Sequence, residues 1–120
     1  MEPGVFRCDG WASGPVLAAH SFAERLKGLR ASDADRGMLI KGQSVHGFGI
    51  REPLLAIGLD GRRRVVGFRV LFPHRVVWIR GAREIVELPI GPLPPPPGVV
   101  LTWERGGSAD LVRNTYRKPE

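Results

Sequence analysis

Leu54-Leu55-Ala56-Ile57-Gly58-Leu59-Asp60-Gly61 is the stretch that decides how this chain folds. Pro53 starts it, the apolar run Leu54 to Leu59 has the length of a core strand, and Asp60-Gly61 is a dipeptide whose two positions tolerate positive φ. A second apolar run, Val65 to Phe72, follows directly. The two runs predict an antiparallel hairpin with Arg62 and Arg63 at its exposed turn. Upstream, Val45-His46-Gly47-Phe48-Gly49-Ile50-Arg51-Glu52 is punctuated by glycines suited to close turns.

Outward from this hairpin the chain reads as more short strands. Val5 to Cys8 and Val16 to Ala19 are separated by the turn-prone Asp9-Gly10 and Ser13-Gly14-Pro15. Ser21 with Glu24 three residues on makes a capping box, and Phe22, Leu26 and Leu29 give an apolar side, so one short helix is expected near residues 22–28, ended by Gly28. About two turns of helix need a sheet to pack on. Gly37 introduces the core strand Met38-Leu39-Ile40. Val76 to Ile79 and Glu84 to Leu88 are expected to pair across Gly81-Ala82, although apolar residues fall on both faces of the second segment. Pro94-Pro95-Pro96-Pro97 is a stiff connector that cannot donate to a sheet, and Val99 to Trp103 reads as the closing strand. The expectation is a mainly β (β-rich α+β) fold, a compact sandwich or distorted barrel. It spans residues 1–103 as a single domain, with 104–120 a mobile polar tail.

Composition agrees with that outline. A chain of 120 residues has the size of one domain with one modest core, and Gly 16 and Pro 11 favour turns over helices. A formal charge of +6 raises nucleic acid or another polyanion as a partner, with Arg62-Arg63-Arg64 the only basic run. Elsewhere the arginines are scattered, as on a solvated basic surface. Cys8 stands alone, so no internal disulfide forms. The first residues lack the pattern of a signal peptide and no apolar run approaches the ~20 residues of a membrane span, which makes the cytoplasm the default location.

The chemical groups are sparse. His20, His46, His74 and Cys8 lack the close spacing of a zinc site, and Asp33 and Asp35 start a calcium-like loop whose twelfth position is Ser44 instead of Glu. No metal or cofactor is expected. There is no phosphate-cradling loop with its lysine and no Gly-x-Ser-x-Gly turn. Ser21 reads as a helix cap, and Cys8 as an inert thiol on the face opposite Arg7. Glu24-Arg25 and Arg51-Glu52 are the polar pairs open to a specific role, with His46 and Arg51 offering a titratable donor and a fixed cation to an anionic ligand.

Ser21-x-x-Glu24-Arg25-x-x-Gly28-Leu29, Gly37-Met38-Leu39-Ile40, His46-Gly47-Phe48-Gly49-Ile50-Arg51-x-Pro53-Leu54, Leu59-Asp60, Gly81-Ala82 and Val86-Glu87-Leu88-Pro89-x-Gly91 occur in an order that resembles one family. It is the uncharacterised, mainly prokaryotic family catalogued as domain of unknown function 192, and the resemblance covers most of residues 16–103. It implies a compact β-rich fold with a short helix and supplies no enzyme activity. The resemblance implies export for many relatives, whereas the first residues here show no export pattern, so location is not carried over from the family. Leu55 stands where relatives often carry aspartate, Gly58 where an aromatic is common, and Val99 where an aspartate often follows the glycine matched by Gly98.

Three functional readings follow. The leading one is a non-enzymatic ligand-binding or accessory domain, with a small anionic ligand or a protein partner at His46, Arg51, Glu24, Arg25 and Asp60. The second is a nucleic-acid or polyanion-binding module using Arg62, Arg63 and Arg64. The third is an enzyme of unrecognised class with a pocket assembled from His46, Arg51, Glu24 and Asp60.

Overall fold

The computed structural model describes residues 2–19, 37–91 and 93–106. Within them lie β1 (Glu2–Cys8), β2 (Trp11–Ala12), β3 (Val16–Ala18), β4 (Gly37–Lys41), β5 (Ser44–His46), β6 (Leu54–Leu59), β7 (Val65–Leu71), β8 (Val76–Trp78), β9 (Glu84–Pro89) and β10 (Thr102–Arg105). The fold is mainly β, and its large sheet curls into a half-barrel. The strand order is β10-β1-β3-β4-β9-β6-β7, with β2 added beside β1, while β5 and β8 form a separate two-stranded sheet. All pairings are antiparallel except β3 with β4. The helix expected near residues 22–28 lies outside the described residues.

Burial explains why these segments became strands. Phe6, Val16, Leu39, Ile57, Leu59, Val86 and Leu88 form one cluster, although Phe6 on β1 and Ile57 on β6 are far apart in strand order. Only a curled sheet brings such strands together, so this cluster fills the inside of the curl. A second cluster, with Val45, Ala56, Leu71, Ile79, Ala82 and Ile85, lies on the other face, beneath the β5–β8 sheet. β6 and β9 are therefore covered on both sides. This is the physical reason why β9 lacks a clean alternation of apolar and polar residues.

One pairing differs from expectation. β8 does not pair with β9 across Gly81-Ala82. It pairs with β5 in the register Ser44↔Trp78, Val45↔Val77 and His46↔Val76, while β9 lies between β4 and β6. β9, whose Ile85, Val86, Glu87 and Leu88 are all buried, takes a strand on each edge. The three residues of β8 instead lie across the second cluster through Val77.

The hairpin β6–β7 forms in the predicted place, but its turn works differently. Arg63 N–H donates to Asp60 O at 2.9 Å and Asp60 N–H to Arg64 O at 3.0 Å, and the positive φ falls on Arg63, at 60°, and not on Gly61. At its other side this turn is joined to the far edge of the sheet. Val65 N–H donates to Val99 O, Gly98 N–H to Val65 O and Leu101 N–H to Arg63 O, just before the chain enters β10. The half-barrel is thereby stitched together at one end. β10 continues to Arg105, beyond the point where the apolar pattern stops.

Candidate functional site

The acidic and basic groups of the hairpin tip serve the fold. Asp60 Oδ1 accepts Arg62 N–H at 2.8 Å and Arg64 N–H at 2.9 Å. These two backbone hydrogen bonds, Arg64's first, hold its carboxyl below the usual aspartate value, with the Arg64 and Arg62 charges adding to the effect. Arg63 is drawn inward. Its Nε meets Glu84 Oε1 at 3.2 Å and its guanidinium lies over the rings of Phe6 and Trp103, 5.4 and 5.9 Å from their centroids. The Arg62-Arg63-Arg64 run is thus split, with Arg62 and Arg64 exposed and Arg63 half-buried.

His46 and Arg51 lie at the other end of β6, separated from Asp60 by the length of that strand, roughly 20 Å for six extended residues. The set His46, Arg51 and Asp60 is therefore not gathered in one place, and Glu24 and Arg25 lie outside the described residues. His46 is half-buried, accepts Phe48 N–H on Nδ1 at 3.3 Å, and its ring lies 5.1 Å from that of Phe48. His74 approaches the same phenyl ring edge-on at 5.9 Å, with its backbone held in the left-handed region at φ 63°. Gly47 is required between them, because a Cβ there would collide with Phe72 O. Arg51 is exposed.

A concave feature lies elsewhere, beside β7. An open groove of about 490 Å³ is lined by Gln43, Val66, Gly67, Phe68, Arg69, Trp78, Ile79 and Arg80. Successive residues of a strand point to opposite faces, so four in a row, Val66 to Arg69, line one groove only if it runs along the strand's edge. Its floor is Ile79, 4% exposed, whose Cγ2 would lie 3.9 Å from a Cβ on Gly67 and 2.5 Å from one on Gly58. Those two glycines face each other across β6 and β7 and let Ile79 settle against the sheet. The rim is apolar and basic together: Phe68 and Trp78 are 47% and 64% exposed, and Arg69 and Arg80 are exposed cations.

Other reactive groups are quiet. Burial pushes the Cys8 thiol up, with nearby Asp9 adding to the shift, so little thiolate is present at neutral pH. Arg7 pairs with Glu104 at 3.0 Å. Among the described residues no three or more His, Cys, Asp or Glu side chains gather to hold a metal ion, and no helix is long and apolar enough to cross a membrane. Glu87 is the one fully buried charged side chain among them, on the face of β9 shared with Met38 and Ala56.

Sequence reasoning missed the groove residues Gln43, Arg69, Trp78 and Arg80. A signal was present. Arg69 interrupts the apolar run Val65 to Phe72 as an edge strand allows, although Glu87 does the same in the covered β9. No family model, curated protein or solved structure matches the chain.

Proposed function

We propose that this is a non-enzymatic binding or accessory domain that takes an anionic ligand or partner in the groove between β7 and β8. The observation that carries the reading is the juxtaposition of Arg69 and Arg80 with Phe68 and Trp78 around one open groove, with no carboxylate among the described lining residues. Two guanidiniums supply fixed charge and forked donors, and two aromatic faces supply apolar contact area. The described polar lining is Gln43, Arg69 and Arg80, an amide and two guanidiniums, groups suited to binding an anion and not to moving protons. His46 and Arg51, placed around the neighbouring Phe48 loop, are a secondary point of anion contact. The polyanion reading at the hairpin tip is weaker, since Arg63 is committed to Glu84 and the Phe6 and Trp103 rings. Membership of the family resembled by the quoted motifs belongs to the same proposal.

The test is a nuclear magnetic resonance titration of the labelled chain with inorganic phosphate and with poly-glutamate. Amide shifts should concentrate at Gln43, residues 66–69 and residues 78–80. Gly67→Val, which adds a side chain to the groove floor where the Cβ meets only ordinary contact, should weaken binding about tenfold. Shifts confined to Arg62 and Arg64, or none at all, would sink the groove reading.

A further inference from the structure

We infer that the groove accepts an acidic peptide in extended conformation, which adds to the outer edge of β7 as one more strand. This rests on the groove being the binding site and names the class of its partner. β7 is the last strand of the large sheet, and β8 beside it is paired with β5. The phase of the ladders decides which β7 groups are left over. Gly42 N–H donates to Arg83 O while Arg83 N–H donates to Leu59 O, so Arg83 is split between its two neighbours, and from that carbonyl on Ile85 and Glu87 face β4 and Val86 and Leu88 face β6. Leu55 and Ile57 then face β9, while Ala56 faces β7, opposite Arg69. Arg69 is therefore hydrogen-bonded into the ladder, and Phe68 and Val70 turn their N–H and C=O groups outward. Neither makes a backbone hydrogen bond beyond the ladders among the described residues.

The same geometry states what the incoming strand should look like. Residues opposite one another in a sheet share a face. Phe68, Val70 and Phe72, with 47%, 38% and 53% exposure, form an uncovered apolar stripe at period two on one face. Arg69 stands between them on the other, towards Arg80 and Trp78. A partner strand would place apolar side chains beside Phe68 and Val70 and carboxylates beside Arg69 and Arg80. Alternating acidic and apolar residues meet both demands. A single-stranded nucleic acid would match the aromatic and cationic rim, but it leaves the in-register donors and acceptors of Phe68 and Val70 unanswered.

The experiment uses the full chain and a synthetic peptide alternating Glu and Val, read by amide hydrogen exchange and by affinity. In the free protein Gly67 and Arg69 should exchange slowly and Phe68 and Val70 fast. Peptide binding should protect Phe68 and Val70. Backbone N-methylation of the peptide on the residues that face β7 should weaken it about tenfold or more, and methylation on the alternate residues should not. Val70→Pro removes one outward donor at an edge position where proline is tolerated, and it should weaken the unmodified peptide similarly. The methylated peptides carry the test independently of that variant. If the peptide shifts the groove resonances but leaves Phe68 and Val70 exchange unchanged, strand addition is wrong while the groove reading survives. An oligothymidylate that competes at equal or higher affinity overturns the peptide assignment. A dimer in sedimentation with Phe68 and Val70 protected before any peptide is added overturns it in favour of a second copy. Groove resonances that respond to no probe remove both proposals.

Discussion

β7 has two ends that face opposite situations. At Arg63 to Val65 its outer side is taken by Val99 to Leu101, and the sheet is drawn together by three backbone hydrogen bonds and the Arg63 contacts with Glu84, Phe6 and Trp103. At Phe68 to Phe72 the same strand has no neighbour on that side among the described residues, and Phe68, Val70 and Phe72 stand half in water. Arg63 and Arg69 show the difference in one residue type. One guanidinium is spent on stability and the other is left to meet something else. A fold that needed only to close would cover both ends, since exposed edge strands with apolar side chains invite unwanted pairing.

The largest expected effect lies at the stitched end. Phe6 is wholly buried, stacks at 4.8 Å on Trp103 and carries the Arg63 guanidinium on its ring. Phe6→Ala leaves a cavity and loses both contacts, and should cost about 3–5 kcal/mol in chemical denaturation. A loss below about 1 kcal/mol would show that the seam does not hold the curl together. Next comes the floor shared by both ends. Gly58→Ala forces a Cβ to 2.5 Å from Ile79 Cγ2 and 3.1 Å from Ala82 Cβ, and should destabilise by about 1–3 kcal/mol through overpacking. The opposed Gly67→Ala, with only a 3.9 Å contact to meet, should be nearly neutral by the same measurement.

Arg63 separates strain from contact. Arg63→Ala and Arg63→Gly both lose the Glu84 pair and the ring contacts, but only glycine takes φ 60° freely. The alanine variant should therefore be less stable than the glycine variant by about 1 kcal/mol. Equal stabilities would mean that the turn relaxes out of the left-handed region once the side chain is gone.

The hairpin tip also supplies a pH signature. Asp60 titrates lower in the folded chain than its ordinary value of 3.8, because Arg64 and Arg62 N–H groups bind its ionised form. Its stabilisation is complete above that value and disappears as pH falls through the lower folded one. Thermal unfolding of the wild type should lose stability in this acid window, and Asp60→Asn should flatten the loss. An unchanged acid profile in the variant would assign the acid sensitivity to other carboxyls.

How far these features were legible varies with their physical origin. β6 is read correctly to the residue because Pro53 and Asp60-Gly61 bound it and its burial is continuous. The partner of β9 was hidden because a strand covered on both faces has no period to show which neighbours it takes. Arg62-Arg63-Arg64 reads as one basic patch, yet a left-handed turn residue throws the middle side chain inward onto aromatic rings from β1 and β10, distant in sequence. The groove required knowing that β8 leaves β7 to pair with β5, a choice made by tertiary packing. His46 was singled out for chemistry, and its ring does sit in an aromatic cluster, but with Phe48 and His74 and far along β6 from Asp60.

The smallest expected effect is at the open end and sharpens the contrast most directly. Val70 is 38% exposed, its backbone polar groups point away from β6, and threonine has nearly its shape and a comparable strand preference. Val70→Thr should change stability by no more than about 0.5 kcal/mol, since the new hydroxyl reaches water and no ladder hydrogen bond is touched. At Val65, 1% exposed within the seam, that hydroxyl would be buried among Leu59, Phe6 and Leu101. Chemical denaturation of Val70→Thr, beside affinity for the alternating Glu and Val peptide, separates the two jobs of β7. Near-normal stability with weakened binding assigns the open end to recognition. A stability loss approaching that of Phe6→Ala would instead make Phe68 to Phe72 part of the structural core, and the two ends of the strand would no longer differ.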